Sequence, residues 1–87
     1  MKFWGRLFKD NRMLSDAVVD IDKEDTRTHK VFEAIDKLSY EFDLPKPIWL
    51  DQNVNDFKRH SKVKFTKDSY IEDVIFDYFE FMVLEED

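Results

Sequence analysis

The sequence predicts an α+β fold: an antiparallel sheet, made of an N-terminal β-hairpin and a C-terminal strand, packed against one long and one short helix. Three observations carry this. Residues 2–21 hold two apolar runs around a turn-prone pair, residues 26–42 carry an apolar stripe at helical spacing, and residues 74–84 are dense in strand formers.

The hairpin turns at Asp10-Asn11, residues whose short polar side chains tolerate tight turns. A two-residue turn there sets Phe8 opposite Met13, Leu7 opposite Leu14 and Phe3 opposite Val18, so apolar meets apolar across the ladder. The same N-terminus has an alternative reading. On a helical wheel Phe3, Trp4, Leu7 and Phe8 share one face and Lys2, Arg6 and Lys9 the other, the pattern of a basic amphipathic helix lying on a membrane. The hairpin accounts for more residues.

In the long helix Val31, Ile35, Leu38 and Phe42 recur at spacings of four, three and four, with Phe32 and Ala34 beside them. Asp25, Thr26 and Thr28 are the candidate caps at its start, and Leu44-Pro45 marks its end. Pro45-Lys46-Pro47 then forces an extended bridge into Ile48-Trp49-Leu50. A short helix follows, with Asn53 as its expected N-cap and Val54 and Phe57 on one side. Val63 and Phe65 alternate with lysines as in a brief strand, and residues 66–69 read as a turn.

The C-terminal strand alternates imperfectly. Phe79, Phe81 and Val83 share a face with Asp77, while Phe76, Tyr78, Met82 and Leu84 share the other with Glu80. Either it is a central strand covered on both sides or a bulge shifts its register. A central strand beside the hairpin gives a three-stranded sheet with helices on one face, leaving an opposite aromatic face that needs a partner, such as a second copy of the chain.

At 87 residues, with one glycine, two prolines and no linker-like stretch, residues 1–87 are expected to form one domain. Nine Phe, three Tyr and two Trp supply its core and leave a surplus of rings for a contact surface. The absence of cysteine excludes disulfides, thiolate metal sites and a cysteine nucleophile. No segment has the length and apolarity of a signal-peptide core or a membrane span, so the expected location is the cytoplasm. The net charge of −6 argues against nucleic acid and anionic membranes as main partners. Charge is segregated, however. Residues 72–87 hold seven acids and no base, and residues 58–67 hold five bases and no acid. The simplest expectation is that the two segments lie together and neutralise each other.

The segments Phe3-Trp4-Gly5, Lys9-Asp10-Asn11, Pro47-Ile48-Trp49-Leu50 and Phe65-Thr66-Lys67-Asp68, with Ile71-Glu72 and Phe76-Asp77, resemble a family of small bacterial proteins of unknown function found mainly in anaerobic Firmicutes. The resemblance spans nearly the whole chain. It implies an intracellular bacterial protein and carries over no site residue.

Chemical motifs are few. His29/Glu33 and Asp56/His60 sit four apart, so each pair shares a helix face and four ligands would converge if the helices faced each other. No Cys/His spacing or HExxH motif accompanies them, and no metal or other cofactor is expected. No G-x-S-x-G elbow holds a serine, and Ser69 with Glu72 fits a helix capping box. A single glycine leaves no phosphate-cradling loop. The expected function is therefore a non-enzymatic protein–protein interaction module, with a homodimer as one expected form and Trp49, Phe79, Phe81, Lys58 and Arg59 as its candidate surface. Lys58, Arg59, Lys62, Lys64 and Lys67 around Phe65 give the alternative, a nucleic-acid contact.

Overall fold

The computed structural model describes residues 1–87. Four strands and two helices follow in the order β1 (Lys2–Lys9), β2 (Arg12–Asp20), α1 (Arg27–Glu41), α2 (Asp51–His60), β3 (Lys62–Thr66) and β4 (Tyr78–Glu85). The sheet is antiparallel throughout with strand order β2-β1-β4-β3. The α+β class holds, and the sheet has one strand more than expected, because the Val63/Phe65 segment pairs with β4.

Residues 2–9 form a strand, so the amphipathic-helix reading of the N-terminus does not hold. Phe3, Gly5 and Leu7 alternate into the core while Trp4, Arg6 and Phe8 face the other way. Asp10 and Asn11 both adopt positive φ, 52° and 63°, as a type I′ turn requires. Phe8 pairs with Met13 as expected. Leu7 then pairs with Ser15 and Phe3 with Val19, because Leu14 is extruded in a bulge. Face chemistry explains the slip. An unbroken register would put Asp16 opposite Gly5 on the core face. The bulge instead sets Ala17 and Val19 inward and pairs Asp16 with Arg6 and Asp20 with Lys2.

Helix α1 begins at Thr26, whose hydroxyl accepts the His29 N–H at 3.2 Å. Asp25 accepts the Thr26 N–H at 2.7 Å and contacts the His29 ring at 2.8 Å. These bonds hold its carboxyl below the usual carboxylate range, the His29 contact contributing most. The helix ends in a Schellman motif before the proline. Leu44 N–H donates to the Ser39 carbonyl and Asp43 N–H to Tyr40, with Asp43 left-handed at φ 56°.

The core lies between the helices and one sheet face. Phe79 and Phe81 are fully buried in it, stacked on or edged against Phe42, Phe65, Phe3 and Phe57. Gly5 permits α1 to approach, since a Cβ there would stand 2.9 Å from Leu38 Cδ1 and from Phe79 Cε1. Strand β4 starts at Tyr78, later than the expected residue 74. Residues 74–77 wrap the end of the sheet: Phe76 turns inward against Tyr70, and Asp77 N–H donates to the Phe8 carbonyl at 2.8 Å.

Candidate functional site

The helix-free face of the sheet is covered by its own side chains. Neighbouring strands align Asp16, Arg6, Glu80 and Lys64 in one row, flanked by Val18-Trp4-Met82-Lys62 and Met13-Phe8-Tyr78-Thr66. Arg6 pairs with Glu80, which is only 4% exposed, and its guanidinium lies 4.4 Å from the Trp4 ring centroid and 5.3 Å from that of Phe8. Trp4 Nε1 donates to Asp16 at 2.9 Å, Phe8 stacks on Tyr78, and Lys64 Nζ lies 4.8 Å over the Tyr78 ring. A cation–π layer occupies the centre of this face, and Val18 and Met13 on β2 stay 54% and 50% exposed. Strand β4 is central, with both edges paired, so self-association by strand pairing through it is closed.

Between the helices lies a different surface, a cleft of about 230 Å³. The first half of α1 supplies Arg27, Thr28, Val31 and Phe32, and α2 supplies Val54, Phe57 and Lys58. Trp49 lies between them, half-buried, its ring edge-on to Phe65 at 4.9 Å, Phe57 at 5.6 Å and Phe32 at 6.4 Å. It is neither a core plug nor a freely displayed anchor. Phe32 is 48% exposed at the rim. The lining holds two cations and no carboxylate. Arg27 shares its charge with Glu86 at 3.0 Å and lies over the Phe57 ring.

The backbone around Trp49 is pinned on both sides. Ile48 N–H donates to the Ser69 carbonyl at 2.6 Å, and Leu50 N–H donates to Asn53 Oδ1 at 2.9 Å. Asn53 is not the N-cap of α2. Leu50 holds that place, and Asn53 reaches back to it from the third helical position, half of a capping box. The same side chain donates to the Lys64 carbonyl at 3.2 Å and accepts from Ser69 Oγ at 3.0 Å. Ser69 is fully buried in a 3₁₀ turn, so the expected capping box with Glu72 is replaced by this hub.

Of the expected interaction residues, the structure brings Trp49 and Lys58 together in the cleft. Arg59 is exposed but outside the lining. Phe79 and Phe81 are corrected: they are core residues, because their strand face is the one the helices cover. Sequence reasoning missed Arg27 and Thr28, which carry no signal of their own, and treated Phe32 only as a neighbour of the stripe. The paired carboxylates and histidines do not converge. His29 turns to Asp25 and Glu33 to Lys23, and no group of three or more metal-ligating side chains forms.

The charged segments meet only in part. β3 does lie beside β4, yet none of Lys58, Arg59, Lys62, Lys64 or Lys67 is in an ion pair. Four of the tail's seven acids are taken elsewhere: Glu80 by Arg6, Glu85 by Lys2, Glu86 by Arg27, and Asp87 by Lys30 and the Met1 amine. All five bases of residues 58–67 are thus without an ion-pair partner, in a chain of net charge −6. No helix is long and apolar enough to cross a membrane. Comparison with models of known families, with curated proteins and with solved structures finds no match.

Proposed function

We propose that this chain is a non-enzymatic protein-binding module whose docking site is the cleft between α1 and α2. The observation that carries the reading is an apolar floor around the half-buried Trp49, with the exposed Phe32 on its rim and cations but no acid in its lining. An aromatic anchor site rimmed by positive charge suits a segment with a bulky apolar residue and neighbouring carboxylates. Selection of a displayed peptide library on the immobilised protein tests this. Enrichment of acidic peptides with one apolar anchor, lost with Phe32→Ser, is the expected result. Phe32 is exposed enough for that change to spare the fold. Absence of enrichment, or enrichment unaffected by Phe32→Ser, refutes the reading.

The five unpaired bases favour a second reading, contact with single-stranded nucleic acid along α2 and β3. Lys62 and Lys64 stand beside Tyr78 and Met82 on the open sheet face. It calls for binding that weakens steeply with salt and with replacement of Lys58, Arg59 and Lys62. No mobility shift of an oligonucleotide at low salt removes it.

A further inference from the structure

The chain carries a feature complementary to its own cleft. Between the 3₁₀ turn and β4, residues 71–75 read Ile-Glu-Asp-Val-Ile. Ile71 is 91% exposed and Ile75 79% exposed, the two most exposed aliphatic side chains among the large hydrophobics. Glu72 and Asp73 between them are exposed and enter no ion pair. This loop has apolar knobs and two acids with no base. The cleft has an apolar floor and two cations with no acid. Resting on the docking reading above, we propose that the cleft's occupant is the 71–75 loop of a second copy of this chain.

The loop and the cleft are separate features of the surface, although the loop's root at Ser69 is bonded to Ile48 beside Trp49. The loop is tied to the hairpin-turn end, where Asp77 N–H meets the Phe8 carbonyl and Asp10 N–H meets the Asp77 carboxylate. The cleft opens over the first half of α1, whose Arg27 meets Glu86 beyond the far end of β4. No residue of 71–75 lines the cleft of its own molecule. The contact runs head to tail, a heterologous interface that leaves one loop and one cleft free at the ends of each assembly. Charge sets the orientation: Glu72 and Asp73 approach Lys58 and Arg27, while the isoleucines meet the Phe32–Trp49 floor.

Sedimentation equilibrium over a wide concentration range tests this with two variants whose changes lie on exposed side chains. A cleft variant carries Phe32→Ser and Lys58→Glu, and a loop variant carries Ile71→Ser and Ile75→Ser. The wild type is expected to rise above its 10.6 kDa monomer mass with concentration. Each variant alone should associate at least about tenfold more weakly. Mixed in equal amounts they should form a capped heterodimer, because one supplies an intact loop and the other an intact cleft. A wild type that stays monomeric overturns the proposal, as does association untouched by both variants or a mixture that forms no heterodimer. If the wild type stays monomeric while the cleft still takes library-selected peptides, the second copy is removed as occupant and the docking reading stands. If the cleft is silent to both, the docking reading falls as well.

Discussion

Replacing Asn53 with alanine tests whether one polar side chain sets the position of Trp49. Asn53 is 7% exposed and makes three hydrogen bonds, to Leu50 N–H, Ser69 Oγ and the Lys64 carbonyl. Together they tie the start of α2 to β3 and to the turn after it. A net contribution of about 0.5–1.5 kcal/mol per bond sums over the three to roughly 1.5–4.5 kcal/mol. The loss falls toward the upper part of that range, because the fully buried Ser69 hydroxyl is left without its acceptor. For a domain of this size total stability is on the order of 4–13 kcal/mol, so the change is a large share of it. The assay is urea unfolding of Asn53→Ala, Ser69→Ala and the double variant in a Trp4→Phe background, where Trp49 is the sole indole. The two single losses should overlap, leaving a coupling of about 1 kcal/mol in the double-mutant cycle. Additive effects, or a loss below about 0.5 kcal/mol for Asn53→Ala, would refute the hub.

Two further outcomes follow from other parts of the structure. Gly5→Ala should destabilise the fold by about 1–3 kcal/mol, read from thermal or urea unfolding, because the new methyl meets Leu38 and Phe79 at 2.9 Å inside a packed core. Stability should be flat between about pH 4 and pH 8 and decline on both sides. Asp87, bonded by Lys30 and the Met1 amine, and Asp25 titrate below their ordinary 3.8, so their contribution is present above that value and is lost as pH falls through their lowered values. The Met1 amine, raised above 8.0 chiefly by its bond to Asp87, contributes fully below 8.0 and loses that contribution as pH climbs through its raised value. Asp87→Asn should flatten both arms in a series of thermal melts, and unchanged arms would show that this cluster is not the cause.

The elements were legible because each rests on local periodicity. The α1 stripe, the Asp10-Asn11 turn and the alternation of Val63 and Phe65 all appear in the structure where the sequence puts them. The errors came where a decision depends on what lies across the sheet. Like-with-like pairing aligned Leu7 with Leu14, whereas the sheet needs Asp16 beside Arg6 and away from Gly5, and only a bulge provides that. Residues 74–77 have the composition of a strand, but pairing with β1 begins only at Tyr78, and Phe76 is drawn to Tyr70. Trp49 stood out in the sequence because two prolines isolate it. Its cleft was not, because Arg27 and Phe32 come from a helix about twenty residues away and meet α2 only through tertiary packing.

The same logic explains why the aromatic surplus points to the cleft rather than to the open sheet face. A ring face can serve a partner only while nothing in its own chain occupies it. On the open face the Arg6 guanidinium lies against Trp4 and Phe8, and Lys64 lies over Tyr78, so a ligand must displace a guanidinium already paired with the buried Glu80. In the cleft the order is reversed. Arg27 covers Phe57 from one side, but Phe32 and the outer edge of Trp49 stay open, and Lys58 has no carboxylate to give up. An incoming acidic segment forms a new charge contact at Lys58, while Arg27 is already shared with Glu86. The segregation of charge along the sequence follows from this arrangement. The last acids of the tail pair with β1, α1 and the Met1 amine, which ties residue 1 to residue 87 and leaves the bases of residues 58–67 without partners beside the cleft and along the β3 edge.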